Sequence, residues 1–261
     1  MAEDVDGRDE RSEEPGIVEL DFTVIRPTGA VPCAAWLPAT PPPWPLVLVG
    51  HGGSGHKRSD RIVGLGRWFS SHAQIAALAI DGPYHGDRVP APLPAAVYQR
   101  RMLDEGLQFV TDRMTADWTA AIAALGSLGP VDATRLGVFG LSMGARFGIP
   151  LAASLGGDLR CAVLGKFGLA AAAGFYADAD GTGIVVDKAP EVTAPTMFHV
   201  QLDDELFPLD GQLALFDLLG AGEKLLLGFP GAHGESPPSA VTYWREFLAS
   251  HLQVTPQGAE T

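Results

Sequence analysis

The sequence predicts a single α/β domain built on a mostly parallel sheet of about eight strands, with helices on both faces. Three observations predict it. The chain has 261 residues, 46% apolar and 19% charged, a length and apolar share that suit one large domain with a buried core. Short continuous apolar runs recur at 46–50, 75–80, 136–140, 161–165, 196–202 and 225–229. Continuous rather than alternating runs mark strands covered on both faces, as in parallel sheets. Ahead of them, 17–25 and 31–37 read as two strands joined by a turn through Pro27 and Gly29, an antiparallel pair leading into repeated β–α units.

Taken in order, residues 1–14 hold seven acids against two arginines, a net charge of −5. So charged a segment buries too little apolar surface to order itself, and 1–16 is expected to be a disordered acidic tail. It is also the reverse of a signal peptide, which needs a basic start and an apolar run. A proline-rich connector spans 38–45, and helices are expected at 57–72, 113–128, 144–155, 209–220 and 238–252. Residues 253–261 are expected to be a flexible C-terminal tail. The stretches 82–112 and 168–195 fit no core element. Each follows a predicted strand, so each is expected at the carboxyl edge of the sheet, where open α/β sheets bind ligands. No boundary divides 17–252 and no large cap domain interrupts it.

Composition excludes several functions. With 31 acidic residues against 18 basic ones, a net charge of −13, the chain is unsuited to neutralising phosphates or docking on anionic lipid. No apolar run is long enough to span a bilayer. Cys33 and Cys161 cannot form a multi-bridge framework, and no Cys/His cluster has zinc-finger spacing, which points to a reducing, cytoplasmic setting. His51, His56, Asp81 and His85 match no zinc-hydrolase motif, so no metal and no cofactor is expected. Oligomeric state is not readable from these features.

The chemistry lies in three loops. Gly140-Leu141-Ser142-Met143-Gly144 is a G-x-S-x-G pentapeptide between a strand-like run and a helix-like run. Its glycines permit a tight strand-to-helix turn that pushes the serine hydroxyl outward, next to a helix N-terminus that favours developing negative charge. A serine needs a base and a group that orients the base. His233, in Pro230-Gly231-Ala232-His233-Gly234-Glu235, follows the last strand on the same edge. The orienting acid is expected from Asp203-Asp204-Glu205, with Asp204 favoured over Asp203 by its place four residues before Pro208.

In this order (Ser142, Asp204, His233) the chain resembles the α/β-hydrolase superfamily, within it the dienelactone hydrolase-like and small acyl-esterase groups. The resemblance covers about 17–252. It also rests on His51-Gly52-Gly53-Ser54-Gly55-His56 and Asp81-Gly82-Pro83-Tyr84-His85-Gly86-Asp87, each placed after an apolar strand. It implies the α/β-hydrolase fold, a Ser/Asp/His triad and cofactor-free hydrolysis of esters or related acyl compounds. Two departures are visible. The acid strand ends Val200-Gln201-Leu202 where the family usually has a glycine, and Ser142 stands where a dienelactone hydrolase proper carries cysteine.

Acyl transfer needs two donors for the oxyanion. The N–H of Met143 is expected to be one and that of Gly53 the other, with Ser54 as second choice. Lys166, which interrupts the apolar run CAVLGKFGL, is a candidate for a substrate carboxylate, as are Arg88, Arg100 and Arg101. Tyr84 and Phe167, with Phe175, Tyr176 and Tyr98, are candidate pocket lining. The expected activity is hydrolysis of a small-molecule ester, thioester or lactone through an acyl-enzyme on Ser142. The alternatives are C–C bond hydrolysis, acyl transfer or acyl elimination by the same triad, or a non-catalytic binding module.

Overall fold

The structure is a computed structural model describing residues 4–11, 16–170 and 180–253. Its strands are β1 (Asp4–Arg11), β2 (Ile17–Arg26), β3 (Gly29–Pro38), β4 (Trp44–Gly50), β5 (Ala76–Ile80), β6 (Val131–Leu141), β7 (Leu159–Gly165), β8 (Thr196–Gln201) and β9 (Lys224–Phe229). Its helices are α1 (Asp60–His72), α2 (Ala95–Glu105), α3 (Leu107–Leu128), α4 (Met143–Leu155), α5 (Asp180–Lys188), α6 (Leu209–Leu218) and α7 (Pro238–Gln253). Among the described residues the strands form one nine-stranded sheet in the order β1-β2-β3-β5-β4-β6-β7-β8-β9. The pairings β1–β2, β2–β3 and β3–β5 are antiparallel, and every pairing from β5 through β4 to β9 is parallel.

The parallel strands are apolar throughout because both faces are covered. One core joins α3, α4, α5 and α6 to one face, through residues such as Trp118, Leu125, Phe147 and Leu215. The other packs Ile62, Leu65 and Phe69 of α1 and Trp244, Leu248 and Leu252 of α7 on the opposite face. The chain leaves β4 outward to β5, then crosses back to β6 on its other side. This reversal opens a crevice between the carboxyl ends of β4 and β6, where ligands bind in open α/β sheets. The loop after β4 and the serine turn after β6 meet there.

Three expectations differ from the structure. Asp4–Arg11, inside the acidic segment, is drawn up as strand β1 against β2, with a register irregularity between Asp6 and Asp9. Ladder hydrogen bonds between backbones need no apolar side chains, which charge counting does not register. The stretch 82–112 contains α2 and the first turn and more of α3. Its proline cluster reads as a helix breaker, yet Pro94 caps α2 at its N-terminus, and Gly106, at φ 91°, separates α2 from α3. Helix α1 starts at Asp60 rather than 57, because the Lys57 amide donates to the Asp81 carboxylate at 2.9 Å instead. Phe175 and Tyr176 lie outside the described residues, as do 254–261.

Candidate active site

Ser142 stands at the junction of β6 and α4 with φ 58° and ψ −122°, a backbone conformation that L-residues adopt only under constraint. The constraint is visible. The Ser142 amide donates to the Gly165 carbonyl at the end of β7 (2.9 Å), while its own carbonyl accepts from Ala145 and Arg146 in the first turn of α4. The flanking glycines serve by lacking side chains rather than by positive φ. A Cβ on Gly140 would lie 2.2 Å from the Gly144 carbonyl oxygen, and one on Gly144 would lie 2.9 Å from that of Gly50. The turn is therefore clamped between three strand ends, which leaves the hydroxyl projecting into the crevice.

The Ser142 hydroxyl lies 2.8 Å from Nε2 of His233, and Nδ1 of His233 lies 2.8 Å from Oδ2 of Asp204. An Nδ1–H that donates to the carboxylate leaves the Nε2 lone pair to accept from the serine. The Asp204 side chain is fully enclosed, and its other oxygen accepts the amides of Leu206 and Phe207 at 2.9 Å each. Burial pushes its carboxyl upward, but the His233 bond and these amides outweigh it and hold the pKa below the usual carboxylate range. The neighbouring acids divide the remaining work. Asp203 accepts the Gly231 amide (2.8 Å) and Glu205 accepts the His233 amide (2.8 Å), so both fasten the histidine loop to the acid loop. Of Asp203 and Asp204, it is Asp204 that meets His233.

Gly53 faces Met143 across the crevice. A Cβ on Gly53 would stand 3.9 Å from the Met143 Cβ and 2.3 Å from the Tyr98 hydroxyl, so a side chain there would have to displace the Tyr98 ring. Met143 opens α4, and the first amides of a helix have no partner within it. The glycine loop is braced from behind. His85 Nε2 contacts the Gly53 carbonyl at 2.9 Å. His51 donates from Nδ1 to the Gly52 carbonyl and accepts the Gly82 amide at Nε2, both at 2.8 Å. Burial lowers the His51 pKa to about 4, so the ring is neutral at ordinary pH. Below it, the buried Asp81 carboxylate binds the Lys57 ammonium and the amides of Lys57 and Asp87. Among the described residues no three His, Cys, Asp or Glu side chains are grouped to hold a metal ion.

These elements enclose an open cleft of about 470 Å³ lined by 50–55, Arg61, Leu93, Tyr98, Ser142, Lys166, Leu206 and His233, among others. The expectations for three pocket residues need correction. Phe167 is 2% exposed and packs in the core, its ring 4.8 Å from that of Phe207. Tyr84 does not line the cleft; its hydroxyl pairs with Glu105, and the Arg101 guanidinium sits 5.6 Å over its ring. Lys166 reaches the cleft wall, but its ammonium is engaged by protein: the carbonyls of His233 (2.9 Å) and Glu235 and the Ser236 hydroxyl (3.0 Å). It has no donor to spare for a substrate carboxylate. Arg88 pairs with Asp117 and Arg100 with Asp104. Arg61, which sequence reasoning did not single out, also lines the cleft. Its place in the first turn of the helix after the glycine loop is the signal that could have found it.

The sheet order, the strained serine turn at the crossover and the serine–histidine–aspartate line define a class: the α/β-hydrolases. Comparison with solved structures agrees. A cold-adapted esterase from an Arctic intertidal metagenomic library is 30% identical, with a TM-score of 0.80 over 97% of this chain and 100% of that one. An acetyl xylan esterase from Paenibacillus sp. R4 is 18% identical, with a TM-score of 0.72 over 96% and 89%. A Klebsiella pneumoniae subsp. pneumoniae protein described as a dienelactone hydrolase is 19% identical, with a TM-score of 0.69 over 91% and 99%. No family model and no curated protein matches the sequence. The chain belongs to the α/β-hydrolase superfamily, among its esterases, and is a hydrolase acting on ester bonds. No helix among the described residues is long and apolar enough to cross a membrane.

Proposed function

We propose that this chain is a serine hydrolase that cleaves a carboxylic ester, thioester or lactone of a small molecule through an acyl-enzyme on Ser142. The observation that carries the reading is the continuous line from Ser142 Oγ through His233 to Asp204, 2.8 Å at each step, rooted in a strained turn that presents the hydroxyl. As Ser142 attacks the carbonyl carbon, His233 takes its proton at Nε2, and Asp204 orients the ring and stabilises its charged form. The amides of Met143 and Gly53 receive the negative oxygen of the tetrahedral intermediate. His233 then returns the proton to the departing alkoxide or thiolate, and a water activated by the same histidine releases the acid. No cofactor enters this cycle. The buried free thiols of Cys33 and Cys161 support a cytoplasmic setting.

The test is Ser142→Ala assayed with p-nitrophenyl acetate. Loss of the nucleophile is expected to lower kcat by several orders of magnitude. Turnover within tenfold of the parent would exclude Ser142 as the nucleophile.

A further inference from the structure

Lys166 is among the most enclosed large side chains of the molecule, 2% exposed, yet it carries an ammonium. Its backbone is left-handed at φ 48°, a conformation costly for a residue with a side chain. That turn directs the chain from the end of β7 beneath the loop that holds His233. There the ammonium meets three acceptors within four residues of sequence: the His233 carbonyl, the Glu235 carbonyl and the Ser236 hydroxyl. Three N–H donors and three acceptors match one to one. The residue before it, Gly165, accepts the Ser142 amide. One dipeptide at the end of β7 thus grips the serine turn through its backbone and the histidine loop through its side chain. Polar groups face the ammonium from each element around it. Arg61 lies on α1, His199 on β8, Asp204 and Glu205 on the following loop, and Glu235 on the histidine loop. Burial, with Arg61 adding to it, lowers the Lys166 pKa to about 8.

We propose that Lys166 is a positioning residue for the reaction: its ammonium fixes the loop 230–236 so that the His233 imidazole stays in register with Ser142. The proposal rests on the reading of Ser142 and His233 given above. It assigns Lys166 no contact with substrate, so its loss acts on turnover rather than on binding.

Lys166→Met keeps most of the unbranched stem of the side chain without its donors. With p-nitrophenyl acetate, kcat is expected to fall at least tenfold while KM stays within twofold, with the fold retained by circular dichroism. Hydrogen exchange at the amides of 231–236 is expected to quicken at least tenfold. In Lys166→Ala, propylammonium is expected to restore activity at least threefold, and tetramethylammonium, which has no N–H, is not. A kcat within twofold of the parent with unchanged exchange overturns the proposal. So does a raised KM with kcat kept, which would make Lys166 a substrate ligand. So does lost activity with neither rescue nor faster exchange. The exchange readout does not depend on chemistry at Ser142, so it stands even if Ser142→Ala stays active. Conversely, an unaffected Lys166→Met leaves the serine assignment untouched.

Discussion

At the scale of single residues, the two adjacent acids after β8 make different bonds, and the difference is measurable. Asp204 holds the His233 ring while Asp203 holds only the Gly231 amide. Asp204→Asn leaves a group that can present N–H to Nδ1 and so favour the wrong tautomer. It is expected to lower kcat by about 10²–10⁴-fold. Asp203→Asn retains an acceptor oxygen for the amide, and its kcat is expected to stay within tenfold. Steady-state kinetics on the pair decides the assignment, and equal losses would contradict it. Lys166 gives a pH-dependent expectation of definite sign. Its folded-state pKa lies near 8, below the ordinary lysine value of 10.5. Between these values the unfolded chain holds the proton that the folded protein has released, so stability rises with pH across that window. Relative to Lys166→Met, the parent is expected to gain up to about 3 kcal/mol between pH 7.5 and 10.5 in denaturant titrations. Parallel stability curves would show that Lys166 is not desolvated as described. The serine, the histidine and the acid were legible in the sequence because each is tied to a strand end and a turn motif. The partners of Lys166 were not, since a lysine at a strand end looks the same whether its ammonium faces water or a loop 67 residues further on.

At the scale of elements, helix α1 shows how closely packing constrains the wall of the cleft. A Cβ on Gly66 would come within 2.3–2.9 Å of three atoms of the fully buried Trp36 ring on β3, whereas one on Gly64 would meet nothing nearer than an arginine nitrogen at 4.0 Å. Gly66→Ala is expected to destabilise by about 1–3 kcal/mol through overpacking. Gly64→Ala, in the same helix, is expected to stabilise by about 0.5–1 kcal/mol through helix propensity. Thermal or denaturant unfolding of the two variants checks both signs, and a neutral Gly66→Ala would contradict the close approach. The core strands were legible because continuous apolar runs are what burial on both faces requires. Helix α2 was hidden by the prolines in front of it, and β1 by its charge. In both cases local composition argued against an element that capping or backbone pairing allows.

For the whole molecule, the net charge of −13 says little about function. What organises function is the reversal of strand order between β4 and β6. It brings the glycine loop, the serine turn and the acid and histidine loops to one edge, the last two fastened to each other by the Asp203 and Glu205 carboxylates. The sequence order of those loops carried the architecture. The walls of the cleft were less legible, because which side chain turns inward from a long connection depends on packing with no local signature; Tyr84 and Phe167 turned out to be spent elsewhere. Chemistry through a covalent bond at Ser142 is tested most directly by intact-protein mass spectrometry. After exposure to a fluorophosphonate, a single adduct is expected, mapping by peptide digestion to Ser142 and absent from Ser142→Ala. An adduct on another residue, or equal labelling of Ser142→Ala, would contradict the account.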